Sequence, residues 1–238
     1  AFIATGHYAK IKNVDGEPVL TKGRDSNKDQ SYVLWGIPGH TLKRTILPLG
    51  DLTKKEVRDI ARENKFETAD IPESMEICFV ADNNYKRFLK EYTPDKMSKI
   101  GSGEIIDDSG NVVGEHSGYT NYTIGQRKGL GLSTPEPQYV SNIDPIKNQI
   151  KIGNKINLAK NKCTISEVNW LVNNLDFPCK IKAQIRYNSS VVDAEIKKES
   201  GNFSVQFNEP QIAVTPGQSI VFYNDEIVLG GGIIEKNI

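Results

Sequence analysis

At 238 residues, with 30 Lys+Arg against 30 Asp+Glu, the chain has a formal net charge of zero. That removes the uniformly basic surface of a non-specific nucleic-acid binder and leaves any RNA contact to a local patch. Hydrophobic content of 37% and charged content of 25% are those of a globular protein, and no apolar run approaches the ~20 residues of a membrane span. The three cysteines, Cys78, Cys163 and Cys179, show neither CxxC spacing nor a disulfide framework, which points to a reducing, cytoplasmic setting.

The chain opens on AFIATGHY, without an initiator Met and with a strand already in progress, as expected of a fragment. Residues 2–5 read as a short buried strand ending at Gly6 and His7. YAKI and NVDGEPVLTKG predict a hairpin turning at Asp15-Gly16. The stretch LPLGDLTKKEVRDIARENKF predicts a helix with Thr53 as N-cap, Glu56 as its capping-box partner and Val57, Ile60 and Ala61 on one apolar face. A second helix starts near Asp82 and carries Tyr85, Phe88, Leu89 and Tyr92 at helical spacing until Pro94 stops it. From about residue 100 onward, short alternating segments separated by turns predict small antiparallel barrels or sandwiches. Domain boundaries are expected near residue 80 and near residues 145–160.

Several stretches could carry chemistry. Cys78, in ESMEICF, reads either as a packed apolar thiol between Ile77 and Phe79 or as a thiol upstream of a helix N-terminus, where the helix dipole favours the thiolate. Glu73 and Glu76 oppose the second reading, whereas Cys163 and Cys179 lie in β-patterned segments with no base nearby and read as structural. From His116 through Pro135 there is no acidic residue, and Arg127 and Lys128 lie among Tyr119, Tyr122 and several glycines. That combination suits an RNA contact, and equally a glycine-rich turn with two solvated cations. Gly6 and His7 follow a strand; at the carboxyl end of a parallel pair such a glycine admits a nucleotide. Lys28, Asp29 and Gln30 read as a polar loop or helix start before an apolar strand, and His40 and His116 show no metal-ligand spacing.

Taken in order, ATGHYA, KDQSYVL, LPLGDLTKKEVRDIA, ESMEICF, NNYKRFL, GEHSGYTNYTIGQRKGLGL, IRYNSS and TPGQSIVFYNDEIVLGGGIIE resemble the bacterial and organellar tRNA-specific 2-thiouridylases over essentially the whole chain. The resemblance implies an α/β plus mostly β architecture. Residues 1–80 would be the C-terminal part of an adenine nucleotide hydrolase-like catalytic domain, 81–150 a small central domain and 151–238 an antiparallel β-barrel.

It also implies a reaction: ATP, with Mg, activates the 2-oxygen of a tRNA wobble uridine, and a cysteine persulfide loaded by an upstream sulfur-relay protein delivers sulfur to carbon 2. Cys78 matches the persulfide cysteine, Gly6 a backbone contact to ATP, and His7, Lys28, Asp29, Gln30, Arg186, Tyr187 and Gln218 match tRNA contacts. The family's SGGxDS phosphate loop and its second catalytic cysteine, which attacks or pairs with the first, have no match in these residues. The chain alone is therefore expected to contact tRNA without turning over. An RNA-binding module in which Cys78 does nothing is the competing reading. A cysteine hydrolase using His7 or His116 is a weaker one, since no oxyanion or triad pattern accompanies them.

Overall fold

The computed structural model describes residues 1–71, 80, 82, 84–212 and 214–235. They group into two compact units, Ala1–Ile71 with Asn161–Pro210 and Val214–Ile238, and Pro72–Lys160 with Gln211–Ala213.

The first unit begins with β1 (Ile3–Ala4), followed by the hairpin of β2 (Ala9–Val14) and β3 (Glu17–Lys22). Asp15 and Gly16 turn that hairpin with φ of 51° and 86°, the left-handed pair that a two-residue type I′ loop requires. β4 (Thr45–Ile46) pairs with β1 in parallel. The opening strand is present but not buried as expected, for Phe2 and Ile3 are 70% and 65% exposed. Apolar residues favour the strand, yet burial needs a covering layer, and among the described residues β4 is the one strand beside it.

A second expectation also fails. The apolar stretch after Gln30 is a 3-10 turn over Ser31–Leu34 and not a strand. The cause is Asp29, whose carboxylate accepts from the Gly23 amide (2.8 Å), the Ser31 amide (3.2 Å) and the Ser31 hydroxyl (2.8 Å). Satisfied locally, these groups have no need of a neighbouring strand. Tyr32 is then buried with Ala9, Leu20, Leu42, Val221 and Tyr223, and Trp35 and Ile37 pack against the same cluster. Helix α1 (Lys54–Glu63) forms as expected: the Thr53 hydroxyl accepts from the Glu56 amide, and the Glu56 carboxylate accepts from the Thr53 amide at 2.6 Å.

In the second unit, Asn84 caps α2 (Tyr85–Tyr92), and Pro94 opens the short α3 (Pro94–Met97). Strands β5 (Gly103–Ile106), β6 (Val112–His116), β7 (Tyr139–Asp144) and β8 (Gln149–Gly153) form a sheet of order β6-β5-β8-β7, with β5 and β8 parallel. Ile105, Leu130, Val140, Ile150 and Ile152 fill its core, and Tyr119 and Tyr122 pack against them. His116 is buried at the end of β6. Its Nδ1 accepts from the Gly118 amide (3.0 Å), which leaves the proton on Nε2 to donate to the Asn148 carbonyl (3.1 Å).

The C-terminal strands are β9 (Ala159–Trp170), β10 (Cys179–Gln184), β11 (Val192–Glu199), β12 (Asn202–Ile212), β13 (Ser219–Asn224) and β14 (Ile227–Ile234). They run in the order β13-β10-β11-β12-β9-β14, and β13 also pairs with β14, so the expected antiparallel barrel closes on itself with six strands. β14 additionally meets β3 at Ile227 and Thr21, which joins the N-terminal hairpin to the barrel. Alternate residues point inward, among them Cys163, Ile181, Ala183, Ala194, Ile196, Val205, Ile220 and Phe222.

Gly230 and Gly231 sit where β14 is flanked on both sides. Gly230 has φ of 149°, and a Cβ there would run into the Asn169 carbonyl; at Gly231 it would lie 2.7 Å from the Ile220 carbonyl oxygen and 2.8 Å from the Trp35 ring. Both obstacles at the first position are backbone conformation and backbone atoms, which cannot swing aside. Gly230→Ala is expected to destabilise the fold by more than about 1 kcal/mol, read as a lower urea midpoint. An unchanged midpoint would show that β14 tolerates a Cβ there.

Candidate functional site

Strand β13 draws together residues far apart in sequence. The loop carrying Lys28, Asp29 and Gln30 is bound to it twice: the Tyr32 hydroxyl donates to the Ser219 carbonyl at 2.8 Å, and the Ser31 hydroxyl lies 3.4 Å from that of Tyr223. Gln218 immediately precedes β13; its amide donates to Thr215, and its carbonyl accepts from the Ile234 amide at 2.8 Å. Arg186 and Tyr187 lie just beyond β10, which pairs with β13 through Gln184 and Val221. Their turn is held by the Gln184 side chain, which donates to the carbonyls of Tyr187 (2.7 Å) and Ser189 (3.1 Å). The Tyr187 and Tyr32 rings approach to 5.9 Å between centroids. Arg186, Tyr187 and Gln218 are exposed, so this surface offers a guanidinium, an aromatic face and a carboxamide to a ligand.

The side chains of Asp29 and Gln30 are engaged within the fold. Asp29 closes its own loop, as described above. Gln30 is reciprocally paired with Tyr8: its amide donates to the Tyr8 carbonyl (2.9 Å), and its side-chain oxygen accepts from the Tyr8 amide (3.0 Å). The His7 ring lies 2.9 Å from the Thr5 hydroxyl through Nδ1. Gly6 follows β1 at the carboxyl end of the parallel pair, and a Cβ there would meet only Leu49 at 3.5 Å, ordinary contact. The described residues therefore do not themselves demand glycine at this position.

Burial sets the electrostatics. It pushes the Tyr32 hydroxyl up to about 12, against the opposing pull of the Arg186 charge. Burial also raises Tyr223, with the Ser31 hydrogen bond opposing and the Asp29 charge reinforcing. Among the thiols, burial pushes Cys163 up to about 12, which makes it a poor nucleophile near neutrality. Cys78 and its flanking glutamates lie outside the described residues. Both His116 nitrogens are used inside the second unit, which removes that histidine as a general base. No group of three or more His, Cys, Asp or Glu among the described residues could hold a metal ion.

Sequence reasoning missed Ser31, Tyr32, Ser219 and Tyr223 as the parts that assemble this surface. The available signal was a serine and a tyrosine inside an otherwise apolar stretch, since a buried hydroxyl must find a partner.

Tyr32→Phe leaves the Ser219 carbonyl without its donor, and a loss of about 1 to 3 kcal/mol is expected at pH 8. In the folded state this hydroxyl titrates near 12, above the ordinary tyrosine value. Its favourable contribution is thus complete below about pH 10 and is lost as pH rises through 12. The gap in urea midpoint between the parent and Tyr32→Phe should therefore shrink at pH 11; a constant gap would place the hydroxyl in water.

Three family models match the chain in succession: the tRNA methyl transferase HUP domain over residues 1–82, the tRNA methyl transferase PRC-barrel domain over 86–154 and the aminomethyltransferase beta-barrel domain over 160–234. The tRNA-specific 2-thiouridylase MnmA of Chlorobium phaeobacteroides strain BS1 is 46% identical over 99% of this chain and 66% of its own length. The protein of the same name from Halothermothrix orenii is likewise 46% identical, over 99% of this chain and 66% of its own. That of Rippkaea orientalis is 44% identical, over 98% and 67%. The chain spans about 66% of the length of the first two relatives. No helix among the described residues is long and apolar enough to cross a membrane. On these matches, the chain belongs to the tRNA-specific 2-thiouridylase MnmA family.

Proposed function

We propose that this protein takes part in ATP-dependent transfer of sulfur to carbon 2 of the wobble uridine of tRNA, and that the surface at the start of β13 engages the tRNA. The observation that carries the reading is the meeting of three separate segments, the Lys28–Gln30 loop, the Arg186–Tyr187 turn and Gln218, on one strand of the barrel. The relatives' name supplies the reaction class.

In this reading the residues have different tasks. Arg186 forks onto a phosphate, Tyr187 stacks on a base, and Gln218 reads a base edge or a sugar hydroxyl. Lys28 adds a second cation for the backbone. Asp29 and Gln30 act as positioning residues, since their side chains hold the loop. His7 contacts tRNA beside Gly6, whose backbone approaches ATP from its open side. ATP, when bound, supplies the activation of the uridine's 2-oxygen.

Cys78 carries the sulfur as a persulfide received from a relay protein. A persulfide's terminal sulfur is more acidic than a thiol and is largely ionised near neutral pH, the nucleophilic form. Cytoplasmic residence follows from the same chemistry, which needs reduced thiols.

Arg186→Ala is expected to weaken tRNA binding by about 1 to 3 kcal/mol, roughly five- to 150-fold, in fluorescence anisotropy at moderate salt. Unchanged affinity would remove Arg186 from the interface. Cys78→Ser, made in a product extended to the length of the relatives, should retain tRNA affinity and lose all thiolation. Residual 2-thiouridine would mean that the sulfur travels by another group. Binding without thiolation in the extended parent would favour a plain RNA-binding module.

A further inference from the structure

The acid-free stretch around Arg127 and Lys128 suits an RNA contact with aromatic faces and, equally, a glycine-rich turn with two solvated cations. Tyr119 and Tyr122 are half-buried: each packs part of its ring against the core of the second unit, and the Tyr122 ring meets that of His116 at 5.8 Å.

The two cations stand on the surface. Arg127 and Lys128 are exposed, and neither forms an ion pair among the described residues. Within the same unit Arg87 pairs with Asp82 and Glu91, and Lys151 with Asp108, whereas other lysines of the unit, such as Lys90 and Lys96, are as unpaired as Arg127 and Lys128 among the described residues. The turn that presents the two charges is pinned on both flanks. The Gly125 amide donates to the Val140 carbonyl (2.8 Å), and the Val140 amide returns a bond to the Gln126 carbonyl (3.0 Å). The Gln126 side chain closes the turn from within, accepting from the Thr123 amide (3.0 Å) and donating to the Lys128 carbonyl (2.9 Å). Leu130, buried just beyond, anchors the far side.

Gly129 and Gly131 follow with φ of 76° and 69°, and a Cβ at Gly131 would meet nothing within 4 Å. Backbone is therefore open to close approach beside the charges. Arg127 also lines a groove of about 470 Å³ with Ser133, Thr134 and Gln138, in which Glu136 is the one lining carboxylate.

We infer that the Gln126–Lys128 turn is a second tRNA-binding element, one that grips the sugar-phosphate backbone without reading bases. The inference rests on the proposed tRNA reading and adds a contact outside the surface at β13. A turn already fixed by its own hydrogen bonds loses little freedom on binding, so both cations are available to phosphate at small entropic expense. Two phosphate contacts release about 1.4 to 1.8 counterions.

The test compares tRNA binding of the parent chain, Arg127→Gln/Lys128→Gln, and the charge-keeping Arg127→Lys/Lys128→Arg across 50 to 200 mM salt. The neutral double variant should bind more weakly at 50 mM, and its log-log salt slope should be shallower by about 1.4 to 1.8. Over this fourfold range the parent should thus lose roughly 7- to 12-fold more affinity than the neutral variant. The charge-keeping variant should restore the slope, and all three should melt at the same temperature. A parent that binds tRNA and weakens on Arg186→Ala, but whose slope is untouched in the neutral variant, would overturn this inference alone. A parent that does not bind tRNA would overturn the underlying reading as well.

Discussion

The structure of the first unit depends on strand β14 being able to lie among three neighbours at once. It pairs with β9 and β13 to close the barrel and with β3 to bring in the N-terminal hairpin. Such a strand has no free flank, and its packing leaves no room for side chains where backbone meets backbone. The Gly230-Gly231-Gly232 run answers that constraint, at the expense of the conformational freedom glycine loses on folding. Once β14 is in place, β13 is fixed between it and β10, and β13 is the strand on which the candidate surface is assembled.

That surface is organised by buried polar groups more than by its charges. Tyr32 and Tyr223 each bury a large ring and still find a partner for the hydroxyl, which fixes the loop at one height along β13. In a low-dielectric setting an unpaired hydroxyl is penalised, so the pairing is specific as well as stabilising. Arg186 then stands beside Tyr32 with no ion pair among the described residues, its charge felt by the phenol. A chain of zero net charge can in this way still present a local cation.

Much of this was legible in the sequence. The Asp15-Gly16 turn, the Thr53/Glu56 capping box and the Pro94 break are local devices, each decided by the chemistry of a few adjacent residues, and each stands where the pattern put it. The alternating C-terminal segments gave barrel strands for the same reason, though closure itself is a long-range fact that alternation does not encode. What escaped was whatever depended on tertiary partners. The apolar residues after Gln30 suit a strand until Asp29 captures the Ser31 amide and hydroxyl and the chain turns; Phe2 and Ile3 suit a core until one asks what covers them; and Tyr119 and Tyr122 give part of each ring to the sheet core. Cys78 was the residue on which the most chemistry was expected, and local physics left it open between packing and catalysis. The family resemblance, not the spacing of neighbouring residues, chose between the two.

Under the proposed tRNA reading, the Lys28-Asp29-Gln30 segment would serve binding without every member touching the ligand. An aspartate facing RNA would set its charge against the phosphates, an unfavourable arrangement unless a cation intervened. Here the Asp29 carboxylate turns to the Gly23 and Ser31 amides, where its charge strengthens hydrogen bonds that define the loop. Gln30 does the same for the Tyr8 backbone, immediately after His7. Gln30 thereby ties the strand end bearing Gly6 and His7 to the loop bearing Lys28, while Asp29 holds the shape of that loop. Through the Tyr8 backbone, Gln30 thus couples the expected nucleotide-facing edge to the expected RNA-facing loop, whose shape Asp29 holds, so a substitution at Gln30 acts on both.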